Sequence, residues 1–150
     1  MTDIGKLVAE FVDACNAHDP EKAVAFFTAD ANYSTPSGTR HGTAEIRALI
    51  QAYVDATPDV HTAADALVVE GSIAALEWTD RGTQTGPFRM TSGDLPPTGR
   101  QYTLHGVSII ETKGDLIASW REYFDRLDLL TQLGLMPSPT APTIGGQAVW

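Results

Sequence analysis

Apolar positions at the start of the chain recur with helical spacing. Ile4, Leu7, Val8, Phe11, Val12 and Cys15 fall at i, i+3, i+4, i+7, i+8 and i+11, a single stripe that predicts an amphipathic helix. Cys15 lies on that stripe and reads as a small buried hydrophobe rather than a nucleophile. Asp19-Pro20-Glu21 is a helix-start signal, with Asp as N-cap, Pro at the first helical position and Glu near the positive dipole end. The short helix it opens is expected to turn Ala23, Phe26 and Phe27 inward and to stop near Asp30. A strand from Ala31 to Thr35 then breaks at Pro36-Ser37-Gly38. Thr43 is read as the cap of a third helix with the stripe Ile46, Leu49, Ile50, Tyr53 and Val54, which ends before Pro58 because the residue preceding a proline disfavours helix.

Beyond Pro58 the period changes from helical to alternating. Val60 to Glu70 and Ser72 to about Arg81 read as a hairpin turning at Gly71. Gly82 to Gly99 is a loop rich in Gly, Thr, Ser and Pro. Arg100 to Thr112 and Leu116 to Phe124 are strands joined at Lys113-Gly114-Asp115. A short helix carrying Leu127, Leu129, Leu130 and Leu133 stops at Gly134. The tail from Met136 to Trp150 is expected to be extended, with Gly145-Gly146 a flexible spot and Val149-Trp150 in need of an apolar seat. Helices segregated from an antiparallel meander indicate an α+β fold. The expected division is a domain over 1–135 and a tail over 136–150, with a bent sheet wrapped by N-terminal helices around an apolar, conical pocket.

Composition narrows the function. The 150 residues suit one domain that buries roughly 68–70% of its unfolded surface. No apolar run reaches the ~18–20 residues of a membrane span, and MTDIGKLVAEF lacks a signal-peptide pattern, so a cytoplasmic chain without a membrane partner is expected. Nineteen Asp and Glu against ten Lys and Arg give a net charge of −9, without the basic footprint that nucleic acid requires. One cysteine and four scattered histidines argue against a disulfide or a metal site. GxSxG, GxGxxG and GxxxxGK[ST] motifs are all missing.

Strand parity selects the candidate chemistry, because alternate side chains face opposite sides. Trp120, Glu122 and Phe124 share a face, and a carboxyl in aromatic company is a candidate general acid or base with a raised pKa. The alternative is a solvated rim charge. Leu76, Trp78 and Asp80 share another face, making Asp80 either a second inward carboxylate or the start of a turn. Tyr33, on the same face as Thr35, is either an oxygen-orienting donor or a core residue. Tyr102, Leu104, Gly106, Ser108 and Ile110 form the better cavity-lining set of their strand. His105 is therefore expected on the opposite face, toward solvent or a partner subunit, while His41 and His61 read as surface residues.

The segments Gly82-Thr-Gln-Thr-Gly-Pro-Phe88, Pro96-Pro-Thr-Gly-Arg100, His105-Gly-Val-Ser-Ile-Ile110, Trp120-Arg-Glu-Tyr-Phe-Asp125 and Leu129-Leu-Thr-Gln-Leu-Gly134 resemble the SnoaL-like polyketide cyclases of the NTF2-like, cystatin-cone superfamily. The resemblance spans about residues 4–135. It implies a cone-shaped sheet, an apolar pocket, a homodimer packed sheet to sheet, and cofactor-free ring closure by aldol chemistry or epoxide opening. The family's acidic residue falls on Glu122, where aldol cyclases typically carry Asp; many relatives have His where Gln84 stands. A second resemblance, to limonene-epoxide hydrolases, maps the two carboxylates of their water-activating triad onto Asp80 and Glu122 and a water-holding tyrosine onto Tyr33. Their triad arginine is replaced here by Trp78 and their water-binding asparagine by Thr35, and the loop is longer, which suits a larger substrate.

The leading expectation is thus a cyclase of bacterial secondary metabolism acting on an apolar small molecule. Glu122, Asp80 and Tyr33 are its expected catalytic residues, with Trp78, Phe88, Tyr102, Leu104, Trp120 and Thr35 binding substrate and no metal or cofactor. An epoxide hydrolase, a ketosteroid-isomerase-like isomerase and a non-catalytic binding module are the alternatives.

Overall fold

The computed structural model describes residues 2–90, 93–136 and 143–148. Helix α1 (Ile4–Asn16) buries the predicted stripe, and Asp3 caps it by accepting from the Lys6 N–H at 3.0 Å. Asp19 caps α2 (Pro20–Val24) in the same way. This helix is shorter than expected. It stops at Val24, and β1 (Phe27–Thr35) already begins where the sequence pattern had suggested a last helical turn. The Pro36-Ser37 turn joins β1 to β2 (Gly38–His41), a strand the pattern did not reveal. Helix α3 (Gly42–Ala56) follows. Thr43 does not cap it: His41 occupies the cap position, and its N–H donates to Glu45 Oε2 at 2.7 Å.

Strands β3 (His61–Glu70), β4 (Ile73–Thr83), β5 (Gln101–Lys113) and β6 (Leu116–Phe124) form the expected antiparallel meander. Strand β1 joins it by pairing parallel with β6, so the six-stranded order is β2-β1-β6-β5-β4-β3. Helix α4 (Arg126–Gln132) ends at Gly134, whose φ of 71° is a left-handed closure. Leu127 on it is exposed rather than buried, whereas Leu133 is fully buried. Within the tail, β7 (Thr143–Ile144) and β8 (Gln147–Ala148) make a small hairpin, and Gly145-Gly146 form its turn with φ of 59° and 82°. The expected apolar seat of Val149-Trp150 concerns residues outside those described. No described helix is long and apolar enough to cross a membrane.

The core lies between the inward face of the sheet and helices α1 and α3. Phe11 is its hub, with ring centroids 5.3 Å from Phe27 and 4.7 Å from Trp120. One backbone position is dictated by this packing. A Cβ on Gly106 would sit 2.3 Å from Trp78 Cζ2, so glycine is what allows the indole to lie across β5 toward Phe124. Gly106→Ala is expected to cost about 1–3 kcal/mol, the range for overpacking a filled interior. Urea denaturation checks this, and an unchanged midpoint would show that the indole has slack.

Candidate active site

The concave face of the sheet and the helices above it enclose a cavity of about 120 Å³. Eight of its lining residues are aromatic, two are carboxylic acids, and none is Lys, Arg or His.

Glu122 reaches the cavity because the β6 register turns it inward between Trp120 and Phe124. The parallel β1–β6 register sets Tyr33 opposite Trp120. Their rings stack with centroids 5.9 Å apart and planes 11° from parallel. That stack aims the Tyr33 hydroxyl, which donates to Glu122 Oε1. Burial raises the Glu122 pKa from 4.5 to about 7. The tyrosine bond opposes the rise, the Asp80 charge adds to it, and the Trp120 indole pulls weakly downward. The Trp120 N–H itself falls short of hydrogen-bond geometry with any described group. Glu122 keeps some accessible surface, which faces the cavity and a shallow depression beside Pro36. Tyr33 is buried, and burial and then the Glu122 charge lift its pKa well above the ordinary value, so the hydroxyl stays a proton donor.

Asp80 occupies a different row of the sheet. Across the strands, Thr62, Asp80 and Leu104 align, then Ala64, Trp78, Gly106 and Phe124, then Leu67, Leu76, Ser108 and Glu122. Trp78 therefore stands in the row between the two carboxylates. Thr62 Oγ1 donates to Asp80 Oδ1 at 2.5 Å. Thr62 is in turn held by Asn16 at the end of α1, whose amide takes the Thr62 N–H at 2.8 Å and gives to the Thr62 carbonyl at 2.9 Å. Burial raises Asp80 from 3.8 to about 6, against the lowering effects of the Thr62 bond and, more weakly, of His61.

Of the remaining residues expected from sequence, Trp78, Phe88, Tyr102, Leu104 and Trp120 all border the cavity. Trp78 is fixed by donating Nε1–H to Ser108 Oγ at 2.9 Å. Thr35 does not border the cavity. It lines the depression beside Pro36, and its Oγ1 accepts from the Ser37 N–H at 3.0 Å. Cys15 lines the cavity with its thiol pushed up to about 12 by burial, so it remains neutral. His105 points to the opposite face, where its Nδ1 meets Thr79 Oγ1 at 3.0 Å; that hydroxyl also donates to Asp65 Oδ2 at 2.5 Å. Gln84 is fully buried and ties the loop together through Gly86 O, Pro96 O and the Thr98 hydroxyl.

Sequence reasoning passed over Tyr53, Thr62 and Asn16. Tyr53 was visible as part of the α3 stripe, which marked it as core. Thr62 follows from Asp80 once their strands are paired. Asn16 carried no sequence signal beyond its place at the end of a helix. Among the described residues, no group of three or more His, Cys, Asp or Glu could hold a metal ion.

Comparison with known proteins adds a lineage to this geometry. The sequence pattern that defines the SnoaL-like domain matches residues 8–120. The structure of TsrD from Streptomyces laurentii is 27% identical, with a TM-score of 0.77, covering 89% of this chain and 96% of that one. IdmH, a candidate polyketide cyclase from Streptomyces antibioticus, is 21% identical with a TM-score of 0.73, covering 88% and 98% respectively. An NTF2-like protein from Burkholderia pseudomallei K96243 is 20% identical with a TM-score of 0.73, covering 89% and 98%. At those two lower identities the likeness speaks to the fold.

The two raised carboxyls make stability depend on pH. Each binds its proton more tightly in the folded chain than in the unfolded one, so the stability this gives is complete below about pH 4 and is lost as pH rises through about 6 for Asp80 and about 7 for Glu122. Glu122→Gln removes one of the two ionisations. The variant is expected to lose less stability than the parent between pH 5 and 8, by on the order of 2–3 kcal/mol. Urea denaturation at both pH values measures the difference, and identical losses would place the Glu122 carboxyl in contact with bulk water.

Proposed function

Because the chain belongs to the SnoaL-like domain family, we propose that it is a cofactor-independent cyclase of secondary metabolism that closes a ring in an apolar, polyketide-like small molecule by acid/base catalysis. The observation that carries the proposal is the Tyr33–Glu122–Asp80 arrangement in an aromatic cavity. Burial raises both carboxyls toward neutral pH, Glu122 further than Asp80, so in this reading Asp80 is the group that accepts a proton and Glu122 the one that donates. In an aldol closure, Asp80 takes the proton from the carbon beside one carbonyl. The resulting carbanion attacks the second carbonyl, and the new alkoxide takes its proton from Glu122. Epoxide opening by an internal hydroxyl uses the same pair, with Glu122 protonating the leaving oxygen. Tyr33 steadies Glu122 as it changes charge, and Trp78, Tyr102, Leu104 and Phe88 hold the chain folded so that reacting atoms meet.

An epoxide hydrolase would need a cation to orient its two carboxylates around water, and the row between them carries Trp78. Product analysis in oxygen-18 water separates the readings. A cyclic product without label is expected, and a labelled diol would overturn cyclisation. Glu122→Gln is expected to lower kcat by roughly 10²–10⁴-fold, the usual range for a lost general acid or base. Full turnover by that variant would remove Glu122 from the mechanism.

A homodimer is part of the same proposal. The outer face of the sheet exposes Val68, Ile73, Val107 and Tyr123 among Glu77, Glu111 and Arg121, apolar positions that a second sheet would cover. Sedimentation is expected to give a dimer for the parent chain and a monomer for Val107→Lys. A parent chain that sediments as a monomer would remove the dimer from the proposal.

A further inference from the structure

Each cavity carboxyl is satisfied on one side only. Glu122 Oε1 takes the Tyr33 hydroxyl and Asp80 Oδ1 takes the Thr62 hydroxyl, while Oε2 and Oδ2 have no hydrogen-bond partner among the described residues. Both partners are neutral donors. The weak positive influences present, His61 on Asp80 and Arg40 on Tyr53, come from residues outside the lining. Aromatic rings stand beside Leu104 and Thr57 at the Asp80 end. Tyr53 and Tyr102 both feel the Asp80 charge, and Trp78 occupies the next row. The whole chain carries a net charge of −9, which draws cations and repels anions.

Anionic oxygens without a cation, set among π-faces, are what a protonated amine completes. The ammonium gains a charge-assisted hydrogen bond to a carboxylate and cation–π attraction from the rings, both strengthened by desolvation. We propose that the ligand of this cavity carries a basic nitrogen, and that Asp80 Oδ2 anchors its ammonium with Tyr53, Tyr102 and Trp78 around it. The inference rests on the reading of this cavity as an acid/base site and revises the part of Asp80 in it. With Oδ2 on the ammonium, Asp80 holds the substrate, and the ionised form of Glu122 takes the carbon-bound proton that its acid form returns to the new alkoxide. With the nitrogen held at Asp80, Glu122 and Tyr33 face the part of the substrate that reacts. A carboxylate-bearing substrate is excluded on the same grounds, since it would meet two acids and no lining cation.

The test uses three probes of similar size: N,N-dimethylbenzylamine, its uncharged isostere isobutylbenzene, and phenylacetate. Binding is followed through the fluorescence of Trp78 and Trp120 in the cavity wall and by calorimetry at pH 7.5. The amine is expected to bind at least tenfold more tightly than isobutylbenzene, and phenylacetate not to bind. Asp80→Asn is expected to abolish the tenfold preference while keeping isobutylbenzene binding, which shows that the variant cavity is intact. Glu122→Gln is expected to keep most of the preference. The titratable groups lining the cavity are Asp80, Glu122, Tyr33, Tyr53, Tyr102 and Cys15. A cation favours the ionised carboxyls, so amine affinity should rise between pH 5 and 8 with release of protons to the buffer.

Equal binding of the amine and its isostere overturns the proposal, as does a preference that survives Asp80→Asn or a cavity that binds none of the three. The acid/base reading fails separately, through full turnover by Glu122→Gln. A neutral-selective cavity with a dead Glu122→Gln enzyme would leave that reading standing without this one.

Discussion

The parallel pairing of β1 with β6 joins two segments almost ninety residues apart, and the Tyr33–Glu122 contact exists only where they meet. A four-stranded meander can form from neighbouring hairpins, yet alone it would leave Trp120 and Glu122 on an open edge strand. Strand β1 covers that edge, lays the Tyr33 ring on Trp120 and brings a hydroxyl to Glu122. Phe11 and Phe27 then close the same corner from the helix side. A parallel pair needs a long crossover rather than a tight turn. Here the crossover includes α3 and the whole hairpin of β3 and β4, so the segments that build the far wall of the cavity are also the connection that makes the pairing possible.

Placing two acids in this enclosure works against stability and is balanced by packing around them. Aromatic rings desolvate both carboxyls, which raises their pKa values, and single neutral hydroxyls limit the rise without cancelling it. A bridging arginine in place of Trp78 would have ionised both acids together and removed the difference between them. The indole instead fills the intervening row, is tied to Ser108, and depends on the missing side chain of Gly106 for its position. The indole thus keeps the two acids in separate rows of the sheet.

What the sequence made legible follows from how local each signal is. Parity along β4, β5 and β6 grouped Asp80 with Trp78 and Glu122 with Trp120 and left open whether each acid faces inward; both do, because the alternation of these strands holds through those residues. The start of β1 was misread because Phe26 and Phe27 fit a helical stripe as well as a strand, and only the pairing of Phe27 with Ile117 decides between them. Strand β2 was invisible since Gly38 to His41 has no apolar alternation and exists as the return of a hairpin. Thr43 had the right chemistry for a cap, but Glu45 reaches back to His41 and starts the helix earlier. Thr35 kept the parity of Tyr33 but sits at the strand end, where the chain turns toward Pro36 and leaves the cavity.

The β3 bulge shows why the support of Asp80 could not be read in advance. Pairing shifts between Ala64 and Ala66, so Asp65 is the extra residue and alternation changes phase there. Before the bulge, Thr62 faces inward and holds Asp80; at the bulge, Asp65 turns outward to Thr79, which in turn meets His105. Counted from the Gly71 turn without the bulge, Asp80 would fall opposite Ala63; the shift brings Thr62 to it and leaves Asp65 on the outer face. His105, the residue with the most familiar catalytic chemistry in the chain, has no part in the cavity. Its strand phase commits it to the outer face, where the Thr79 hydroxyl links it to Asp65.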